Sequence, residues 1–166
     1  MPVLLESVKK DLKKLRDFKK YKVYPVTNTA ITPAKGVKTV TYKGDVKGST
    51  DIYNTMIRFH NVEFVENIGS DTRKVKFRNV TYYFKNPQEK VNEVQLKCSC
   101  HDFRFMFEKQ LYDEKALIGR WRKYKRRTPP PPHPDGRPFM NPDDHMGFCK
   151  HLWSFMEKLK KDKRLK

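Results

Sequence analysis

Val91-Asn-Glu-Val-Gln-Leu-Lys-Cys-Ser-Cys100 places Val94, Leu96, Cys98 and Cys100 on every second position with polar residues between them. Period two is the mark of a half-buried strand, so the stretch predicts a β-strand with both thiols on one face, where they can reach a single ion. On a helix the same pair would diverge by about 200°. After 48 intervening residues, Cys149-Lys-His151 repeats the one-residue spacing and uses the last of the three cysteines. Leu152, Phe155, Met156 and Leu159 follow at helical spacing, and Asn141-Pro-Asp-Asp144 ahead of them offers turn and capping residues, which predicts a last helix to about residue 160. Cys149 and His151 can share an ion only at the start of that helix or just before it, with Gly147 supplying backbone freedom for the approach. Cys98, Cys100, Cys149 and His151 are therefore expected to form a closed structural site for Zn2+. His101, His133 and His145 are weaker substitutes, and His60 is read as structural.

A Cys-x-Cys pair followed at a distance by Cys-x-His resembles the SWIM zinc finger, over residues 91 to about 160. The gap is longer than this family usually shows, so the chain between the pairs is expected to form an insertion that returns to the same ion; doubling a loop costs only ~0.6 kcal/mol. Cys98-Ser-Cys-His-Asp-Phe103 and the segment from Asn141 to Leu152 look like those of small SWIM-type proteins encoded by tailed bacteriophages. That resemblance implies a non-enzymatic virion structural protein, fixed among other protein subunits and close to packaged DNA. SWIM modules in general bind nucleic acid or protein.

Upstream, Leu5, Val8, Leu12 and Leu15 recur at spacings of three and four, which predicts an amphipathic helix from residue 3 to about 20 within a basic arm, 1–24. Its other face carries Lys9, Lys10, Lys13, Lys14, Lys19 and Lys20, and its apolar stripe must pack on the domain or on a partner. Residues 25–50 read as an irregular connection plus an edge strand, Val37 to Lys43, ended by a Gly44-Asp45 turn. Ile57-Arg-Phe-His-Asn-Val-Glu-Phe64 is answered by Val75-Lys-Phe-Arg-Asn-Val-Thr-Tyr82. Each copy changes phase at its asparagine, which predicts two bulged strands, paired as an antiparallel hairpin through Gly69-Ser-Asp71. Phe103, Met106, Phe107 and Leu111 predict a helix from about Asp102 to Ile118. The whole reads as α+β: a small antiparallel sheet of a bulged hairpin plus a third strand, packed with helices, with a ββα-like zinc-stapled C-terminal part. One domain spans 25–160, with the zinc module at 91–160 containing a basic, proline-rich insertion at 119–140, and a basic tail at 161–166.

Thirty-seven Lys and Arg against nineteen Asp and Glu give a formal charge of +18. So basic a chain calls for an anionic partner, nucleic acid first and an acidic protein next. Arg120, Trp121, Arg122, Lys123, Tyr124, Lys125, Arg126 and Arg127 interleave cations with rings and lead into the prolines at 129–132; with Lys9 and Lys13 of the arm they form the candidate nucleic-acid or partner surface. The lysine-rich end, Lys158 to Lys166, is expected to fray unless a partner holds it. There is no apolar run of the ~20 residues a membrane span needs and no secretory signal, so the expected place is the cytoplasm of a host cell or a virion, with thiols reduced. No nucleophile-and-base pattern, phosphate loop or open metal position argues for an enzyme or a small-molecule substrate; Asp143-Asp144-His145 reads as an exposed turn rather than a nuclease metal site. The alternative is a free nucleic-acid-binding or regulatory protein.

Overall fold

The computed structural model describes residues 1–123, 141 and 143–166, and in them the apolar runs sort into an α+β architecture. The strands are β1 (Val26–Ala34), β2 (Thr39–Lys47), β3 (Ile52–Phe59), β4 (Phe64–Val65), β5 (Thr72–Phe77), β6 (Val80–Lys85) and β7 (Val94–Cys98); the α-helices are α1 (Leu5–Leu12), α2 (His101–Met106), α3 (Glu108–Asp113) and α4 (Lys150–Lys161). A four-stranded antiparallel sheet has the order β1-β2-β3-β7, and a three-stranded one the order β4-β6-β5. Val40, Tyr42, Val46, Ile57, Phe59, Leu96 and Cys98 alternate along the larger sheet and all are buried on one face. Helix α4 packs there with Leu152, Phe155 and Met156. A Cβ on Gly44 would lie 2.6 Å from the Phe155 ring, so this strand glycine is the place where helix and sheet approach most closely.

Several expectations are corrected by these pairings. Residues 26–34 form a strand, with a register shift between Thr27 and Ala30, and β2 runs straight through Gly44-Asp45 without turning. The two repeat copies do not pair with each other: the first runs along the end of β3, beside β7, and reaches β4 only at Phe64, whereas the second folds on itself as the β5–β6 hairpin. The phase change at each asparagine marks a strand end rather than a bulge. Asn61 has φ 56°, and Arg78 and Asn79, both at positive φ (47° and 63°), make the two-residue turn of the hairpin. The helix expected over 102–118 breaks at Phe107 and ends at Asp113. Lys115 then takes φ 61°, and the chain returns beside β7, with Leu96 N donating to Ala116 O and Ile118 N to Leu96 O.

The N-terminal arm belongs to the domain. Leu5, Val8 and Leu12 are fully buried, and Val94 N donates to Val3 O at 2.8 Å. The helix stops at Leu12, well short of residue 20, because the chain turns to insert Phe18 against Phe148 and Trp153, with ring centroids 5.2 and 5.0 Å away. The C-terminal end is held by the chain itself: Leu165 is buried, Tyr42 Oη donates to Arg164 O at 3.0 Å, and Lys166 Nζ reaches Asp71 at 2.9 Å. Leu12→Ala is expected to lower stability by about 2–5 kcal/mol in urea unfolding, the cost of a cavity in a core that closes only partly; a change near zero would place the α1 stripe outside the core.

Candidate metal centre

Backbone conformation brings the two ligand pairs together. Cys98 ends β7 opposite Thr55, and Cys100 is the extended cap residue ahead of α2, with φ −73° and ψ 154°. The residue between them is pinned from the side: Ser99 N donates to Asn54 O at 3.1 Å, and Ser99 Oγ accepts from Asn54 N at 3.0 Å. Cys149 is likewise an extended cap residue (φ −84°, ψ 170°), and His151 lies in the first turn of α4. The expected non-helical approach is thus present on both sides. One ligand atom from each of Cys98, Cys100, Cys149 and His151 lies within 4.8 Å of the other three, and all four residues are buried. These residues can hold a metal ion. Ligands at Zn–S and Zn–N bond lengths would stand about 3.4–3.8 Å apart in a tetrahedron, so only small side-chain adjustments separate the cluster from that geometry.

The imidazole gives the most direct sign that a cation belongs here. Neither ring nitrogen of His151 meets the geometry of a hydrogen bond to any of the described residues, although both are buried beside the Cys100 thiol, and a buried polar group left unpaired costs about 1–3 kcal/mol. The ring is held in place by stacking on Tyr53, centroids 4.2 Å apart, and by Tyr24 at 5.6 Å. Tyr24 is tied to the same helix turn, its N–H donating to Ser154 Oγ while Ser154 Oγ donates to Lys150 O. Among the thiols, hydrogen bonds from Cys149 and Cys98 hold Cys100 far below the usual thiol range against the opposing effect of burial, with further contributions from the neighbouring His151 imidazole and from Phe103 N–H at 3.3 Å. The hydrogen bond with Cys100 pushes Cys98 up, and burial followed by the same partner raises Cys149. Packed this closely, the three thiols titrate as one coupled group rather than independently.

The rival ligands fall elsewhere. His101 is exposed and stacks on Phe105, and His145 Nδ1 faces Asp11 Oδ1 at 3.2 Å. Asp143 and Asp144 are exposed, Asp144 in a turn at φ 50°. Gly147 serves space rather than conformational freedom, since its φ is not positive and a Cβ would lie 2.5 Å from the Phe107 ring and 2.8 Å from Leu12. Sequence spacing missed the residues that seat His151, namely Gly48, Tyr53 and Tyr24, because they come from distant strands and loops. Comparison with protein-family models, with curated proteins and with solved structures gives no match.

The proposed basic surface is only partly free. Arg120, Lys123 and Lys13 are exposed, but Trp121 packs on the core near Tyr112, and Arg122 Nε lies 3.6 Å from the buried Glu108 carboxylate. Lys9 is corrected outright: its ammonium is hydrogen-bonded to Glu89 at 2.6 Å and lies over the Trp153 ring, and burial lowers its pKa despite that partner. Tyr124, Lys125, Arg126, Arg127, His133 and the proline run lie outside the described residues.

Two outcomes follow from the packing around the ligands. A Cβ on Gly48 would lie 2.6 Å from Tyr53 and 3.0 Å from His151 Nε2, so Gly48→Ala is expected to weaken metal retention in a chelator competition; unchanged retention would show that the ring seat is irrelevant. Burial alone would raise the Asp11 pKa, but hydrogen bonds from Lys14 and Met146 N–H, together with His145, lower it. A depressed folded pKa means that this stabilisation is present above the ordinary carboxylate range and is lost as acid titrates Asp11 through its lowered value. The stability gap between the unmodified chain and Asp11→Asn should therefore be widest at neutral pH and close in acid, as read from urea midpoints.

Proposed function

We propose that this chain is a non-enzymatic, zinc-stapled module working inside a larger nucleoprotein assembly. The observation that carries the reading is the buried cluster of three thiols and an imidazole whose ring nitrogens form no hydrogen bond among the described residues. Three sulfurs and one nitrogen suit zinc in a four-coordinate structural site, where no position stays open for substrate. The cluster joins the end of β7 to the start of α4, so binding energy goes into folding rather than chemistry. The SWIM-type ligand pattern and the likeness of its two segments to tailed-bacteriophage proteins support a virion structural role, with other subunits and packaged DNA as neighbours. A net charge of +18 favours nucleic acid as the nearby anion. The second reading, a free nucleic-acid-binding protein, draws on the same charge.

The decisive measurement is metal analysis of the purified chain alongside thermal melting. The expected result is stoichiometric zinc, a melting temperature that falls on chelation, and loss of both metal and stability in Cys149→Ser. Metal-free protein whose melting is indifferent to chelator and to Cys149→Ser would overturn the proposal.

A further inference from the structure

Alternation along the β5–β6 hairpin separates two faces of the smaller sheet. Phe64, Val75 and Phe84 pack against the core. The opposite face carries Thr72, Lys74 and Lys76 from β5 and Thr81, Tyr83 and Lys85 from β6. Tyr83 is central: Lys74 stands directly across from it on β5 and Val65 on β4. Lys74, Lys76, Thr81 and Lys85 are exposed, and Tyr83 is half-buried.

The ring at the centre of these groups, rather than the lysines alone, distinguishes this face from the rest of the basic surface. Lys85 pairs with Glu63 at 2.8 Å. Lys74 and Lys76 have no carboxylate among the described residues, as is also true of exposed lysines elsewhere such as Lys13, Lys38 and Lys43, whereas Lys9, Lys109, Lys158 and Lys166 each have one. Tyr42 gives its hydroxyl to Arg164 O and Tyr82 packs edge-on to Phe64, but Tyr83 has neither a ring partner nor a hydrogen bond among the described residues. A ring with no partner among the described residues, bordered on its sheet face by ammonium groups, is a stacking platform.

We propose that this face binds single-stranded nucleic acid, with an unpaired base on the Tyr83 ring and phosphates against Lys74 and Lys76. Those two lysines are about 7 Å apart along the strand, a step that suits successive phosphates of an extended chain. A duplex keeps its bases stacked on one another and offers this ring nothing to stack on. The proposal rests on the nucleic-acid part of the function proposed above, moves the contact away from residues 120–127, and is independent of the metal.

The test is fluorescence anisotropy of the full zinc-loaded chain with a labelled oligothymidylate, a duplex of equal length and polyglutamate, over a range of salt. Tyr83→Ala is expected to weaken oligothymidylate binding about 5- to 100-fold while Tyr83→Phe, which keeps the ring, retains it. Removing two phosphate contacts in Lys74→Ser/Lys76→Ser should lower the slope of log affinity against log salt by about 1.4. Unchanged melting temperatures establish that the variants fold. If the unmodified chain binds the oligonucleotide but all three variants match it, this face is wrong and the broader reading stands. If the unmodified chain binds no nucleic acid, both fall; equal or tighter binding of the duplex or of polyglutamate overturns the single-strand proposal in favour of a duplex or an acidic protein.

Discussion

Four soft ligand groups must share one buried volume for α4 to lie where it does. That helix carries Leu152, Phe155, Met156 and Leu159 into the core, and its first turn can reach the end of β7 only by bringing Cys149 and His151 against Cys98 and Cys100. Apolar packing pulls the elements together, yet at the junction it buries an imidazole with no hydrogen bond among the described residues and thiols that cannot all ionise next to one another. A doubly charged cation resolves both conflicts at once, because it gives the nitrogen a partner and compensates the thiolate charge. An ion bound at this one place would couple directly to the fold, while the remainder of the core is held by ordinary burial.

Around that junction the N-terminal segment forms a belt rather than a separate arm. Asp11 binds the backbone of Met146 on the approach to Cys149, Phe18 wedges between Phe148 and Trp153, and Tyr24 sits over His151. Each contact joins parts of the chain more than a hundred residues apart, so the metal site is seated by segments that have no sequence relation to its ligands. The charge pattern changes meaning as a result. Lysines that look like a continuous phosphate-tracking face on α1 are divided between internal ion pairs, as Lys9 is with Glu89, and solvent.

Much of the candidate site was legible because short-range geometry determines it. Residues two apart on an extended chain point the same way, so Cys98 and Cys100, and Cys149 ahead of a helix, could be assigned to one ion from spacing alone. The strand at Val94, the last helix and the α+β class follow from the same periodicities. The repeat misled for an equally physical reason: alternation reports which face of a strand is buried and says nothing about which strand lies beside it. Copies of one pattern entered two different sheets, and the asparagines that shifted the phase proved to be left-handed turn residues. Gly44 and Gly147 look like turn or hinge signals, but they mark close contact with Phe155 and Phe107, which only packing creates.

By itself the sequence determined the ligand set, its strand-end and helix-start settings, the class of fold and the strong positive charge, all of which depend on composition or on spacings of a few residues. Tertiary structure alone decided that the N-terminal helix is core, that the C-terminal segment is anchored through Arg164 to Tyr42 and through Lys166 to Asp71, that Tyr53 and Tyr24 seat His151, and that Lys74, Lys76 and Tyr83 stand together with no carboxylate or ring partner among the described residues. These are outcomes of long-range pairing, in which distant segments compete for the same neighbours, and no local pattern records which of them succeeds.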